Sequence, residues 1–211
     1  MPMNWANRVT LARVVLIPVV IVVLLARLPN WGPWWAAVLF TLLAATDAVD
    51  GYLARSRNEV TNFGKLIDPL ADKLLVTAAL VSLVELDSLP AWIAIVIIAR
   101  EFIVTGLRMV AVAEGRVIAA GSFGKLKTVF QIIAIVMFIV KDSTPVRALG
   151  SLIVTWFGYL SWAVMIIALG LTIYSMIDYF RHALDVIQVG VPDKDLSRPA
   201  EETSSDTAPE A

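Results

Sequence analysis

The stretch DAVDGYLARSRNEVTNFGKLIDPLAD, residues 47–72, places four aspartates between two strongly apolar blocks. Asp47 directly follows VLFTLLAAT, inside a block that has the composition of a membrane helix. Ionisable residues inside a membrane are costly and are usually kept for a function. The stretch therefore predicts a polar functional site where two membrane helices approach the same membrane surface.

The composition of the whole chain supports membrane helices. Of its 211 residues 59% are hydrophobic, whereas soluble domains have about 45–50%. A transmembrane helix takes roughly 20 predominantly apolar residues, and the chain has six blocks near that length. We predict an all-α membrane protein with six transmembrane helices, at about residues 9–28, 34–55, 68–86, 90–112, 124–141 and 149–181. Continuous runs such as AWIAIVIIA argue against the alternating strands of a membrane barrel.

The distribution of Lys and Arg predicts the orientation of these helices, since basic residues concentrate in cytoplasmic loops. With a cytoplasmic N-terminus, most basic residues fall on the cytoplasmic side, and an even number of spans returns the C-terminus there. We expect a catalytic domain over residues 1–185 and a disordered cytoplasmic tail over residues 186–211, which is rich in Pro, Ser and acidic residues. The net charge of −1 gives no indication of a nucleic-acid partner.

The aspartates form two pairs whose spacing suits helices. Asp47 and Asp50 are three residues apart, and Asp68 and Asp72 are four apart, so each pair lies on one helix face. Four neighbouring carboxylates repel one another unless cations neutralise them, and all-oxygen sites suit Mg²⁺ or Mn²⁺. The alternative is a set of ordinary charges at helix ends, and Asp68 followed by Pro69 is by itself typical of a helix start.

Small and basic residues beside the aspartates suggest a phosphorylated substrate. Gly51 follows Asp50 directly, and Gly64 precedes the second pair. Glycine allows a ligand or another backbone to approach closely. Arg55 lies four residues after Gly51 and can bind a phosphate through two hydrogen bonds. Divalent cations, an arginine and glycines together favour a diphosphate substrate.

The full pattern D-x-x-D-G-x-x-A-R, then eight residues, then G-x-x-x-D-x-x-x-D is present without departure. It resembles the signature of the CDP-alcohol phosphatidyltransferases, and the resemblance extends over about residues 4–181. It implies transfer of a phosphatidyl group from CDP-diacylglycerol to an alcohol, with release of CMP, in phospholipid biosynthesis at the bacterial cytoplasmic membrane. Family members are commonly homodimers, so a homodimer is also expected.

The same resemblance implies roles for individual residues. Two divalent ions, Mg²⁺ or Mn²⁺, would be held by Asp47, Asp50, Asp68 and Asp72, and Asp72 would also be the general base. Contacts to CDP-diacylglycerol would come from Gly51, Arg55, Thr61 and, from the N-terminal string NRVTLAR, from Asn7, Thr10 and Arg13.

The acceptor is predicted from basic residues in spans four and five. Candidates to bind an acceptor phosphate are Arg100, Arg108, Lys125 and Lys127. Glu101 can pair with Arg100 or a neighbouring cation, and Lys125 and Lys127 face different directions if helical. The alternative is that these cations only reflect the bias towards positive cytoplasmic loops.

The strings REFIVTGLR, GKLKTVFQ and LTIYSMIDYF are similar to the branch of the family that uses sn-glycerol 3-phosphate. An inositol phosphate and phosphatidylglycerol remain alternative acceptors. A divalent-cation transporter is the alternative from a different class of protein.

Overall fold

The computed structural model describes residues 5–26, 31–56, 62–113 and 122–188. Over these ranges the chain forms seven α-helices and no strand, so the all-helical prediction is confirmed. For residues 5–10, 47–56, 62–72 and a few others the description is of the backbone alone. The predicted tail falls mostly on residues 189–211, which lie outside the described residues.

The six long helices correspond to the six predicted apolar blocks. They are α1 (Trp5–Leu25), α2 (Gly32–Ser56), α3 (Asn62–Glu85), α4 (Ala91–Ala113), α5 (Ser122–Val140) and α7 (Ser151–Gln188). The four-residue α6 (Thr144–Arg147) was not predicted, because the string KDSTP is typical of a turn. The last helix continues to Gln188, so the first three residues of the predicted tail are helical.

The start of α3 differs from the prediction. The helix begins at Asn62 rather than near Asp68, so Asp68 and Pro69 lie inside it. The interpretation of Asp68 as a helix-starting residue is therefore wrong. Pro69 is the eighth residue of α3, beyond the first four N–H groups that a helix leaves without partners. Its missing N–H therefore removes one backbone hydrogen bond from the helix.

The end of α3 is a well-formed helix stop. Ser88 N–H donates to Leu83 O at 3.0 Å and Asp87 N–H donates to Val84 O at 3.0 Å. This is the hydrogen-bond pattern of a Schellman motif, which needs a left-handed residue after the helix. Asp87 fills that position with φ 54°. The motif reverses the chain sharply and fixes the position of α4 against α3.

Two contacts show which helix ends lie together. The Trp34 indole Nε1–H, near the start of α2, donates to Ser143 Oγ after the end of α5 at 3.1 Å. Lys141 Nζ, also after α5, donates to the carbonyl oxygen of Ser88 after α3 at 3.4 Å. We call this end of the bundle, with the start of α2 and the ends of α3 and α5, the tryptophan end. The opposite end, with the end of α2 and the starts of α3 and α5, is called the aspartate end.

The core lies along the axis of the bundle. The helix α1 packs against α2 and α3, α5 packs against α2 and α7, and α4 packs against α3 and α7. Side chains that are at most 1% exposed come from five of these helices: Phe40, Leu80, Ile97, Ile135 and Met165. This packing brings the aspartate-end parts of α3, α4, α5 and α7 close together.

The outer surface of the bundle is apolar. The stretch Ser151–Arg181 of α7 is long and apolar enough to cross a membrane, and 17% of its most apolar window is buried inside the protein. Shorter apolar helices occur at Leu11–Leu25, Gly32–Thr46 and Leu126–Val140. Exposed tryptophans cluster near the tryptophan end, at Trp31, Trp34, Trp35, Trp92 and Trp156, and such rings are typical of a membrane–water interface. The number of spans stays a prediction.

Candidate active site

The aspartate motif lies on two helices that pack against each other. Asp47, Asp50, Gly51 and Arg55 belong to the last part of α2, which is helical to Ser56. Asp68 and Asp72 belong to the first half of α3. The helical backbone gives each pair of aspartate positions a common face, as the sequence predicts. The side chains of these residues lie outside the described part of the chain, so their contacts stay predictions.

The donor set of this motif fits a divalent cation by its chemistry. All four groups are carboxylates, which are the oxygen ligands that Mg²⁺ and Mn²⁺ favour, and the two helices that carry them are in contact. Among the residues whose side chains are described, no group of three His, Cys, Asp or Glu could hold a metal. The aspartate motif is thus the candidate metal site that the sequence provides.

The predicted nucleotide contacts lie at the aspartate end or outside the described residues. Asn7, Thr10 and Arg13 follow one another at three-residue intervals on α1, which packs against both motif-bearing helices. Arg13 is buried, with 4% exposure, so its position faces the interior of the bundle. Thr61 lies outside the described residues.

A buried ion cluster lies next to the motif. The Glu101 carboxylate accepts from Lys73 Nζ through Oε2 at 2.5 Å. Its Oε1 accepts from Arg100 Nη1 at 3.2 Å and from Lys127 Nζ. These groups come from α3, α4 and α5, and Lys73 directly follows Asp72 in the chain. We call Lys73, Arg100, Glu101 and Lys127 the Glu101 cluster.

The Glu101 cluster is positively charged and shielded from solvent. Three cations and one carboxylate leave two net positive charges on these four residues. The side chains of Arg100 and Glu101 are each 9% exposed and that of Lys127 is 4% exposed. Burying charge is expensive unless it is paired and hydrogen-bonded. Basic residues outnumber acidic ones within this cluster, which is a composition suited to an anionic ligand.

The cluster extends to α7 through Arg100. Arg100 Nη2 donates to Ser175 Oγ at 2.6 Å. One turn further along α7, Tyr179 packs against Val104, and the Arg108 guanidinium lies 6.0 Å from the Tyr179 ring centre. Arg100 Nε and the Tyr179 hydroxyl are buried and make no hydrogen bond to the described residues. Buried polar atoms are nearly always satisfied, so these two atoms require a partner that the described residues do not supply.

The structure brings together only part of the predicted acceptor set. Arg100 and Lys127 meet at Glu101, as the residues of an acceptor site would. Arg108 is exposed and contacts Tyr179 instead, two turns from Arg100 along α4. The side chain of Lys125 lies outside the described residues.

Three residues of this region are not predicted from the sequence. Lys73 and Ser175 make the contacts described above, and Gln131 is buried and lines a small cavity beside Lys127. The signal was available for Lys73, because a cation inside an apolar span is as unusual as Asp47. Ser175 and Gln131 are neutral residues in apolar helices, and the sequence contains no comparable signal for them.

A cavity lies at the opposite end of the bundle from the Glu101 cluster. It measures about 400 Å³ and is lined by residues of the tryptophan end, among them Pro33, Ser88, Phe138 and Asp142. The whole length of the bundle separates it from the aspartate motif. Its size would allow a small ligand, but the buried charges and the motif both favour the aspartate end as the functional site.

Comparisons with known proteins agree with the motif. The family model described as CDP-alcohol phosphatidyltransferase matches residues 3–174. The chain is 51% identical over 144 residues to the CDP-diacylglycerol–glycerol-3-phosphate 3-phosphatidyltransferase of Bacillus subtilis, covering 63% of this chain and 74% of the relative. It is 39% identical over 188 residues to the Pseudomonas fluorescens protein of the same name, covering 86% and 90%.

A third relative is the probable phosphatidylglycerophosphate synthase of Mycobacterium tuberculosis H37Rv, which is 36% identical over 189 residues, covering 86% of this chain and 82% of the relative. The motif and the family match extend over most of the described helices. The chain belongs to the CDP-alcohol phosphatidyltransferase family.

Proposed function

We propose that the protein transfers the phosphatidyl group of CDP-diacylglycerol to sn-glycerol 3-phosphate, giving phosphatidylglycerophosphate and CMP. The observation that carries the proposal is the Glu101 cluster, in which basic residues outnumber acidic ones. Its residue Lys73 directly follows Asp72 of the aspartate motif on α3. A phosphate on the acceptor explains why a buried site would hold excess positive charge. The names of relatives that are 36–51% identical support the same acceptor.

The donor occupies the aspartate end in this proposal. Gly51 lets the diphosphate approach α2, and Arg55 binds it. Asn7, Thr10, Arg13 and Thr61 complete the contacts to CDP-diacylglycerol. The burial of Arg13 supports its role as a donor contact, because a buried guanidinium can neutralise part of the diphosphate charge.

Asp47, Asp50, Asp68 and Asp72 hold two divalent cations, Mg²⁺ or Mn²⁺. When bound, such ions neutralise the diphosphate and polarise the phosphorus that is attacked. Phosphoryl-type transfer needs positioning and charge neutralisation more than covalent assistance. The protein therefore has to hold the donor and the acceptor in line rather than form a bond to either.

The transfer step uses Asp72 as a general base. Asp72 takes the proton of an acceptor hydroxyl as that oxygen forms a bond to the phosphatidyl phosphorus. The bond from this phosphorus to the bridging oxygen of the diphosphate breaks, and CMP leaves with the electron pair. Arg100 and Lys127 hold the acceptor phosphate during the step, and Lys125 is a further predicted contact. Arg108 contacts Tyr179 and would bind the acceptor only if it moved towards Arg100.

The reaction takes place at a membrane because the donor carries two acyl chains. We infer six spans in the bacterial cytoplasmic membrane, both termini in the cytoplasm, a tail over residues 186–211 and a homodimer. The apolar outer surface and the exposed tryptophans at one end support the membrane position. The aspartate end then faces the cytoplasm, and CMP is released from the site on that side.

The test is CMP release by purified protein in detergent with CDP-diacylglycerol and Mg²⁺. The acceptor panel contains glycerol 3-phosphate, inositol phosphate, serine and phosphatidylglycerol. We expect release to depend on glycerol 3-phosphate, to stop with EDTA and to return with added Mg²⁺ or Mn²⁺. Release that depends on another acceptor would reject the acceptor assignment. Metal uptake by proteoliposomes without any CDP-lipid, together with no CMP release, would favour a transporter.

A further inference from the structure

Both carboxylate oxygens of Glu101 are occupied by cations. Its Oε1 accepts from Arg100 and Lys127, and its Oε2 accepts from Lys73 at 2.5 Å. An ionised carboxylate accepts about four hydrogen bonds, and three of these positions are filled by cations. Glu101 is thus poorly placed to bind a metal or to remove a proton, although it is a buried acid beside the motif.

The three cations come from separate helices and need a common partner. Lys73 lies on α3, Arg100 on α4 and Lys127 on α5. Without a carboxylate between them, like charges in a poorly solvated interior repel each other strongly. Glu101 holds these side chains in one place, and Arg100 is fixed further by Ser175.

Donors remain after Glu101 is satisfied. Lys127 uses one of its three N–H groups for Glu101, and the Nε of Arg100 is buried without a partner among the described residues. A cavity of about 30 Å³ beside the cluster is lined by Lys73, Glu101, Lys127 and Gln131. That is space for a water molecule or two and not for a phosphate group, so the cavity itself is not the proposed acceptor site.

We propose that Glu101 is a positioning residue that assembles Lys73, Arg100 and Lys127 into one phosphate-recognising group and so selects phosphorylated over unphosphorylated acceptors. This inference rests on the proposed function and deepens it. Lys73 directly follows Asp72 in the chain, so this group lies beside the proposed base.

Charge and positioning predict opposite results for Glu101→Gln. The substitution raises the cluster from two to three net positive charges, so attraction by charge alone would lower the KM for glycerol 3-phosphate. Loss of the common partner separates the cations, so positioning predicts a higher KM. We expect at least a tenfold rise in this KM, with the KM for CDP-diacylglycerol within twofold of the wild type.

The experiment measures CMP release at varied concentrations of each substrate, together with thermal unfolding. Glu85→Gln is the matched control, since Glu85 is an exposed residue at the other end of α3, and both KM values should stay unchanged. Glu101→Asp keeps the charge but shortens the side chain, and we expect a KM for glycerol 3-phosphate between those of the wild type and Glu101→Gln.

A folded Glu101→Gln protein with an unchanged or lower KM for glycerol 3-phosphate would overturn the inference. If that variant does not fold, a folded Glu101→Asp protein with an unchanged KM would also overturn it, because only a structural role would be left.

The proposed function fails separately, when the wild type does not release CMP with glycerol 3-phosphate. In that case the unfolding temperatures of the wild type and of Glu101→Gln are measured with glycerol 3-phosphate and with glycerol. The rise in each temperature reports how well that compound binds. Equal protection of both proteins rejects the role of Glu101, and loss of the phosphate-specific protection in the variant supports it.

Discussion

At the aspartate end, the Glu101 carboxylate is buried among three cations. At the tryptophan end, the Asp142 carboxylate is exposed beside two cations. Asp142 lies 3.8 Å from Lys141 and 4.0 Å from Arg147, and its side chain is 58% exposed. Exposed ion pairs contribute about 0–1 kcal/mol, whereas removing one partner of a buried pair costs about 3–5 kcal/mol. The same residue types thus form an exposed, weakly coupled ion pair at one end and a buried ion cluster at the other.

The largest effect is expected for Asp72→Asn, with Asp142→Asn as the same change at the tryptophan end. Loss of a general base lowers turnover about 10²–10⁴-fold, so CMP release should fall by that factor for Asp72→Asn while thermal unfolding is unchanged. Asp142→Asn should keep wild-type turnover. If both variants lose activity equally, the functional difference between the two ends is wrong. If Asp72→Asn keeps more than a tenth of the turnover, Asp72 is not the base.

The next effect compares two lysines, Lys127→Gln in the Glu101 cluster and Lys141→Gln at the tryptophan end. A hydrogen bond to a charged group is worth about 1.5–3 kcal/mol, so the KM for glycerol 3-phosphate should rise about 10- to 150-fold for Lys127→Gln. Lys141 lies 4.4 Å from the Phe138 ring centre, and its loss should affect stability without changing this KM. A normal KM in a folded Lys127→Gln protein would remove Lys127 from the acceptor site.

A stability effect without a change in substrate binding is expected for Phe138→Ala. Phe138 is 1% exposed, and its ring meets Trp162 edge-on at 5.2 Å. Truncating a buried Phe costs about 3–5 kcal/mol, so the free energy of unfolding in detergent should fall by about 3 kcal/mol while both KM values stay normal. Phe102→Ala is the control, because Phe102 is 49% exposed and should cost much less. Equal losses for the two variants would show that Phe138 is not part of a tightly packed core.

The smallest effect is expected for Trp34→Phe, which removes the hydrogen bond to Ser143. Ser143 is buried, so its hydroxyl loses a partner, and a neutral hydrogen bond contributes about 0.5–1.5 kcal/mol. We expect the free energy of unfolding to fall by about 1 kcal/mol. Trp35→Phe is the matched control, because Trp35 is 64% exposed. A loss for Trp35→Phe as large as for Trp34→Phe would show that membrane anchoring, and not this hydrogen bond, accounts for the effect.

The helices could be located from the sequence because each is a long apolar block, and this signal depends on local composition. The start of α3 could not, because NFGKLI between the polar loop and Asp68 has no strong helical signal and Pro69 suggested a later start. The short α6 was hidden for a similar reason. The short α6 packs against α7, which is a contact that the local sequence does not reveal.

The candidate site was predictable in its residue types but not in its pairings. The unbroken motif identified Asp47 to Asp72, and Glu101 was expected to pair with Arg100 or a neighbouring cation. That Lys73, Arg100 and Lys127 all share Glu101 depends on how α3, α4 and α5 are rotated about their axes. A single sequence does not determine that rotation, since several apolar faces of each helix could be buried.

The length of α7 can be compared with the thickness of a bilayer. Its 38 residues extend about 57 Å at about 1.5 Å per residue, nearly twice the hydrocarbon thickness of about 30 Å. Fitting it entirely within lipid would need a tilt of about 60°, beyond the usual range of about 0–40°. Spin labels stepped along α7 would therefore pass from oxygen-rich lipid into water at a definable residue, and that crossing point would locate the headgroup plane relative to Ser175.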